Sequence, residues 1–258
     1  NVRRDFDAFS VTAGASVRLG PDWRLAGSLT RSERAPSAEE LLANGPHAAT
    51  AAFEVGDAGF DTEASLGGEV SIRSETARYA ISATAFYQDY SGFIELFPTG
   101  EEEDELPVFQ FRQEDARFWG VEVEGSAVLF RLADADIAVD GLLDYTNARI
   151  KDVGPAPRIP PLRLRGGAEA RAGLFTARAE VEHALAQDRI AEFETETGAF
   201  TLVNASLAIR PWGRDNATTL LFEAANLFDV NARRHASFLK DYAPLAGRDL
   251  RVTLRVGL

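Results

Sequence analysis

The sequence contains no cysteine, which excludes disulfide bridges and thiolate-bound zinc or iron–sulfur sites within its 258 residues. Its only lysines are Lys151 and Lys240, and 27 basic residues stand against 40 acidic ones for a formal net charge of -13. Nonspecific binding to phosphate backbones needs clustered cations, so no nucleic-acid partner is expected. No run approaches about 18 apolar residues, so no transmembrane helix is encoded. The opening NVRRDFDAF has neither the basic nor the apolar region of a secretion signal. Two expectations follow: a cytosolic protein, or the downstream part of a longer exported one. Nucleophile-elbow, P-loop and H-E-x-x-H motifs are all missing, so no enzyme and no resident cofactor are expected.

What the chain does have is alternation. Between Phe9 and Leu19 the odd positions are Phe9, Val11, Ala13, Ala15, Val17 and Leu19, and the even ones are Ser10, Thr12, Gly14, Ser16 and Arg18. Strict period-2 patterning of this kind predicts a strand with one apolar and one polar face. The same reading continues to the end of the chain, giving strands at 9–19, 23–30, 61–73, 77–97, 109–130, 137–150, 162–173, 175–185, 199–210, 218–228 and 249–258. Connections at 20–22, 74–76, 132–135, 173–174 and 211–216 are short. Those at 34–60, 98–107, 151–161, 186–198 and 229–246 are long. Sorting loops by face in this way is expected of an antiparallel transmembrane barrel, whereas a soluble Greek-key protein has no cause for it. Tyr79 and Tyr87 bracket Ile81, Ala83 and Ala85 on one face. Eight tilted steps at ~3.3 Å span roughly 20 Å, close to the height of a lipid-facing band between aromatic girdles. The acidic TGEEEDE within 98–107 reads as a solvated loop tip.

Several segments resemble TonB-dependent outer-membrane receptors. They are RAPSAEELLANGPHAATAAFEVGD at 34–57, DARFWGVEVEG at 115–125, and the stretches 190–198, 226–229 (NLFD) and 235–250. The first is particularly similar to the branch that includes neisserial-type zinc-uptake receptors. The resemblance implies an all-β fold: an antiparallel transmembrane β-barrel, with residues 1–258 its C-terminal portion. Eleven strands would be half of a 22-stranded plugged barrel, so the plug domain and the N-terminal strands are expected to lie outside this sequence. It further implies an outer-membrane receptor that takes up a scarce nutrient. Zinc stands first as transported substrate, with siderophore-iron, haem or cobalamin behind it. Implied partners are its own plug domain, outer-membrane lipid and the TonB energy-coupling complex, engaged through an N-terminal region absent here. The final GRDLRVTLRVGL is similar to barrel assembly signals but ends in Leu258 rather than an aromatic residue. Alternatives are a passive porin or a soluble β-barrel with a binding or structural role.

The sequence has three histidines. His183 alternates with Ala179, Val181 and Leu185 and is expected on the lipid-facing side near an interface. His47 and His235 lie in long loops on one predicted side, and neutral imidazole is the commonest metal ligand. In zinc-receptor relatives a histidine in the segment equivalent to GPHAAT is a candidate ligand, which selects His47 first and His235 second. Glu54, Asp57 and Asp241 are candidate oxygen donors, and further ligands are expected from outside this chain. In the same loop, Ser37 to Glu40 has the spacing of a capping box, which predicts about one helical turn over Ala38 to Ala43.

Overall fold

The computed structural model describes residues 3–132, 134–213 and 218–256. In chain order the elements are β1 (Val11–Arg18), β2 (Trp23–Arg34), the helix α1 (Ala38–Leu42), β3 (Asn44–His47), β4 (Ala52–Val55), β5 (Glu63–Glu75) and β6 (Tyr79–Glu103). Next come β7 (Leu106–Leu132), β8 (Ala135–Ile150), β9 (Gly154–Pro155), β10 (Arg163–Ala172) and β11 (Phe175–Ala184). β12 (Phe200–Ile209), β13 (Thr219–Ala225) and β14 (Asp249–Arg255) complete the chain. One sheet carries the order β1-β2-β5-β6-β7-β8-β10-β11-β12-β13-β14, each strand antiparallel to the next, which are the eleven strands expected from the alternation. Among the described residues β1 and β14 each have one neighbour, so the sheet is not closed. Part of the turn expected at 211–216 and the terminal Leu258 lie outside the described residues.

The register shows why these sequences make a two-faced wall. Val17, Leu25, Ile72, Ala83, Val123, Leu143 and Leu164 stand side by side across seven successive strands. The row ends on His183 and Thr201, whose side chains are hydrogen bonded at 2.8 Å, so His183 sits on the apolar face as its neighbours predict. One residue along, on the opposite face, run Ser16, Ala26, Ser71, Thr84, Glu122, Asp144 and Arg163. Along these rows that face carries the charges, with ion pairs of Arg163 with Asp144 at 2.8 Å and of Arg178 with both Asp140 and Glu180. In a membrane barrel the apolar face is the outside and the charged face lines the lumen. Tyr87 pairs in register with Trp119, which meets the Tyr145 ring edge-on at 5.4 Å, marking an aromatic belt toward the long-loop end.

Two features depart from the sequence reading. The acidic stretch at 98–107 is not a free loop: β6 and β7 continue as a hairpin to Glu103 and Leu106. Asp104 and Glu105 turn it with φ of 52° and 64°, the pair of left-handed residues that a two-residue hairpin turn requires. The lumen is also not uniformly polar. Tyr90, Phe93 and Phe118 form a cluster with ring centroids 5.3–5.4 Å apart, and it packs against Phe97, Ile150 and Ala156 beneath the 151–161 connection. Those apolar residues anchor loops rather than meet water.

The NLFD segment shows how a long loop is closed at its base. Asn226, left-handed at φ 47° and nearly fully buried, accepts from the Val230 N–H and donates to the carbonyls of Val230 and Ala246. The Asp229 carboxylate accepts from the Arg248 N–H at 2.8 Å. Loop 229–248 therefore leaves and re-enters the sheet at one knot of side-chain bonds.

Candidate metal centre

The connection between β2 and β5 folds into a unit of its own. Ser37 caps α1, accepting from the Glu40 N–H, while the Glu40 carboxylate accepts from the Ser37 N–H, the reciprocal bonds of a capping box. Burial pushes Glu40 up, but bonds from Arg34 and Ser37 prevail and hold its carboxyl below the usual range. β3 and β4 then form a short hairpin, with Ala51 left-handed at its turn. β4 lies parallel against the top of β7, pairing Phe53 with Val108 and burying Ala52, Phe53 and Glu54. Gly56 joins the hairpin to the helix. A Cβ there would lie 2.7–2.8 Å from the backbone of Glu40, Leu42 and Ala43, so only glycine lets the two pieces touch.

This fold brings together three residues from three elements: Glu39 of α1, His47 at the end of β3, and Glu54 of β4. One donor atom from each lies within 4.8 Å of the others. Glu54 is 3% exposed; its Oε1 accepts from the Thr50 hydroxyl at 2.7 Å and stands 3.1 Å from His47 Nδ1. Nδ1 also stands 3.2 Å from the Thr50 hydroxyl; in the tautomer that donates from Nδ1 to Glu54, Nε2 carries the lone pair, and it stands 3.8 Å from Glu39 Oε1. A histidine that offers one nitrogen outward while a buried carboxylate holds the other is the arrangement by which proteins orient metal-binding imidazoles.

His235 does something else. Among the described residues it is not part of that cluster. It lies buried where loops 186–198 and 229–248 meet, with Nδ1 3.1 Å from the Thr197 hydroxyl and Nε2 3.7 Å from Glu194 Oε2. Glu194 is itself held by the N–H groups of Arg158 and Ala191, and Lys240 donates to the Thr195 carbonyl and hydroxyl. The position is that of a structural tie between loops. Burial lowers the His235 pKa below its ordinary value of 6.5, and Lys240 adds to this, while Glu194 and Asp241 oppose it. The unfolded chain therefore takes up a proton near pH 6.5 that the packed loops resist. Stability from the neutral ring is present above that pH and is lost as pH falls through it. Protection factors in 186–198 and 229–248, corrected for the intrinsic pH dependence of amide exchange, are accordingly expected to fall between neutral and mildly acidic pH, and His235→Asn should abolish that fall. Protection factors that stay constant with pH in the parent protein would show that His235 does not hold the loops.

Of the other expected donors, Asp57 caps the Gly59 N–H at 2.7 Å and Asp241 is bonded by the Thr195 hydroxyl. Glu54, one of the candidate oxygen donors, lies in the cluster, and Glu39, which was not among them, brings a second carboxylate to it. Glu39 was missed because at the sequence level it is one of two adjacent helix-start acids. The capping-box spacing picks out Glu40 for the cap, but only the docking of α1 on Gly56 brings Glu39 to His47.

Comparison with known proteins bears on the whole sheet. The sequence matches the family model described as TonB dependent receptor-like, beta-barrel, over residues 1–227. The fold is similar to the copper transporter OprC, with a TM-score of 0.80 at 19% identity over 94% of this chain and 38% of that one. It is also similar to the FrpB iron transporter of Neisseria meningitidis (F5-1 variant), with a TM-score of 0.69 at 14% identity over 95% of this chain and 39% of that one. The ferric-catecholate import receptor Fiu from K12 E. coli gives 0.67 at 17% identity, over 94% and 34%. The chain thus spans less than two fifths of the length of each of these three structures, and the likeness is one of fold.

Proposed function

This chain belongs to the TonB-dependent receptor-like β-barrel family, and from that premise we propose that it is the C-terminal barrel portion of a receptor importing a divalent metal, zinc first. Its place is the outer membrane of a Gram-negative bacterium, which replaces the soluble-barrel alternative. The remaining strands and a plug domain would come from the rest of a longer polypeptide, and import would draw on the TonB energy-coupling complex. The eleven-strand open sheet and the partial coverage of its structural relatives support this division.

The metal reading rests on one observation, the convergence of Glu39, His47 and Glu54. Two ligands each ~2.1 Å from a tetrahedral zinc stand about 3.4 Å apart. His47 Nε2 and Glu39 Oε1 are 3.8 Å apart, within a small side-chain adjustment of that spacing. The chain contains neither cysteine nor methionine, so it offers nitrogen and oxygen donors and none of the soft sulfur that favours cuprous copper. Two direct ligands form an incomplete set, which suits a cargo that must be released inward; water or groups from the plug would complete it. Other relatives are named for copper or for iron and its chelates, so metal selectivity is the property to measure. Equilibrium dialysis of the demetallated full-length protein should show one zinc site, with X-ray absorption reporting only nitrogen and oxygen neighbours. No zinc bound, alongside tight binding of a ferric chelate, would overturn the zinc reading and leave the family intact.

A further inference from the structure

Above the aromatic belt, on the outward face, the register that makes lower rows apolar lines up charges instead. Arg31, Leu66, Asp89, Arg117 and Arg149 stand side by side on β2, β5, β6, β7 and β8. Lys151 and Asp115 lie one step further toward the long loops, joined by a backbone bond of 2.9 Å. Together they line a shallow concavity of about 760 Å³ on the outside of the wall. Asp89 and Arg117 are two residues beyond Tyr87 and Trp119, about 7 Å along each strand. That is the depth of lipid headgroups, just outside the apolar band.

The protein alone does not account for this arrangement. Arg117 and Arg149 are directly opposite each other across β7 and β8, and like charges so placed destabilise a sheet. Of the neighbouring carboxylates, Asp89 is engaged with Arg117 at 3.4 Å, Asp115 with Lys151 at 3.4 Å and Glu33 with Arg31 at 2.5 Å, while Asp152 also lines the concavity. Among the described residues Arg149 has no acidic partner. A further guanidinium, that of Arg189, sits over the Tyr145 ring at 5.1 Å on the same side.

We propose that this face seats the phosphate headgroup of an outer-leaflet lipid, gripped between Arg117 and Arg149 with Lys151 as a third contact. Guanidinium pairs suit phosphate oxygens, which take two parallel N–H bonds from each fork. The acyl chains would pass Leu66, within the row, and descend over Tyr87 and Trp119, whose exposed surfaces lie directly below. That continuity selects a lipid over a free anion, because the charged rim opens onto the membrane-facing wall and not onto the lumen. The inference rests on the outer-membrane barrel and is independent of which cargo it carries.

The test uses the full-length protein extracted from the outer membrane in mild detergent, with retained phosphorylated lipid counted by native mass spectrometry. The parent protein should carry such lipid, and Arg117→Gln with Arg149→Gln should lower its occupancy about tenfold while the barrel stays assembled. Arg117→Lys with Arg149→Lys should keep most of it. If the double glutamine variant does not assemble, Arg149→Gln alone, which removes no ion pair, should reduce occupancy. Vesicles containing a phosphorylated lipid should restore binding to delipidated protein, and inorganic phosphate should not compete. Equal lipid content in parent and glutamine variants, no lipid in the parent, or displacement by inorganic phosphate would each overturn the proposal.

Discussion

Val123→Arg in the full-length protein is expected to destabilise the inserted barrel by roughly 2–4 kcal/mol, provided the site lies near the bilayer midplane, the cost of an arginine facing lipid at that depth. Val123 stands on the outward face between Ala83 and Leu143, with apolar neighbours on the strands beyond them. No carboxylate shares its row, so a guanidinium there would have neither water nor a partner. Thr84→Arg places the same side chain on the adjacent strand but on the other face, opposite Glu122 and beside Ser71. That variant should assemble at close to the parent level. Unfolding in lipid vesicles, or the heat-modifiable mobility of the barrel, separates the two cases. Equal losses would mean that the faces are wrongly assigned.

His47→Ala should abolish most zinc affinity while leaving assembly unchanged, because its ring lies on a loop hairpin that the sheet register does not need. Glu54→Gln is the more discriminating change. It keeps the shape of the buried side chain but removes the carboxylate that favours the proton on Nδ1, and should weaken zinc by about 10–100-fold. Glu39→Gln removes the proposed direct oxygen ligand, so its loss should exceed that of Glu54→Gln. If Glu54→Gln proved neutral while His47→Ala did not, Glu54 would be a structural acceptor for Thr50 and not an orienting group.

The sheet was legible in the sequence because a two-faced wall writes itself into alternate residues. Val11 to Val17, Tyr79 to Tyr87 and Leu250 to Leu254 each show the pattern without help from distant neighbours. Loop parity then gave the direction of each strand. The upper ends were less legible, since outside the bilayer the outward face no longer has to be apolar. Thus β6 runs on through Glu102 and Glu103, paired with Pro107 and Leu106 of β7, although nothing in their alternation requires it. The same loss of pattern hid β3, β4 and the parallel contact of Phe53 with Val108. For the candidate site, the histidine in GPHAAT and Glu54 could be picked out by chemistry. Glu39 could not, because its approach to His47 depends on a backbone contact at Gly56 between segments whose proximity no local pattern records. His235 has the composition of a ligand and the surroundings of a buried tie, and only its contacts with Thr197 and Glu194 tell the two apart.

The measurement that bears most directly on function is zinc accumulation by cells expressing the full-length protein under zinc limitation, with and without collapse of the proton-motive force. Import should be energy-dependent, should be lost in His47→Ala at unchanged outer-membrane abundance, and should fall in Glu39→Gln. Accumulation that survives both the energy block and the loss of His47 would contradict the assignment of this barrel to energised zinc uptake through the Glu39–His47–Glu54 cluster.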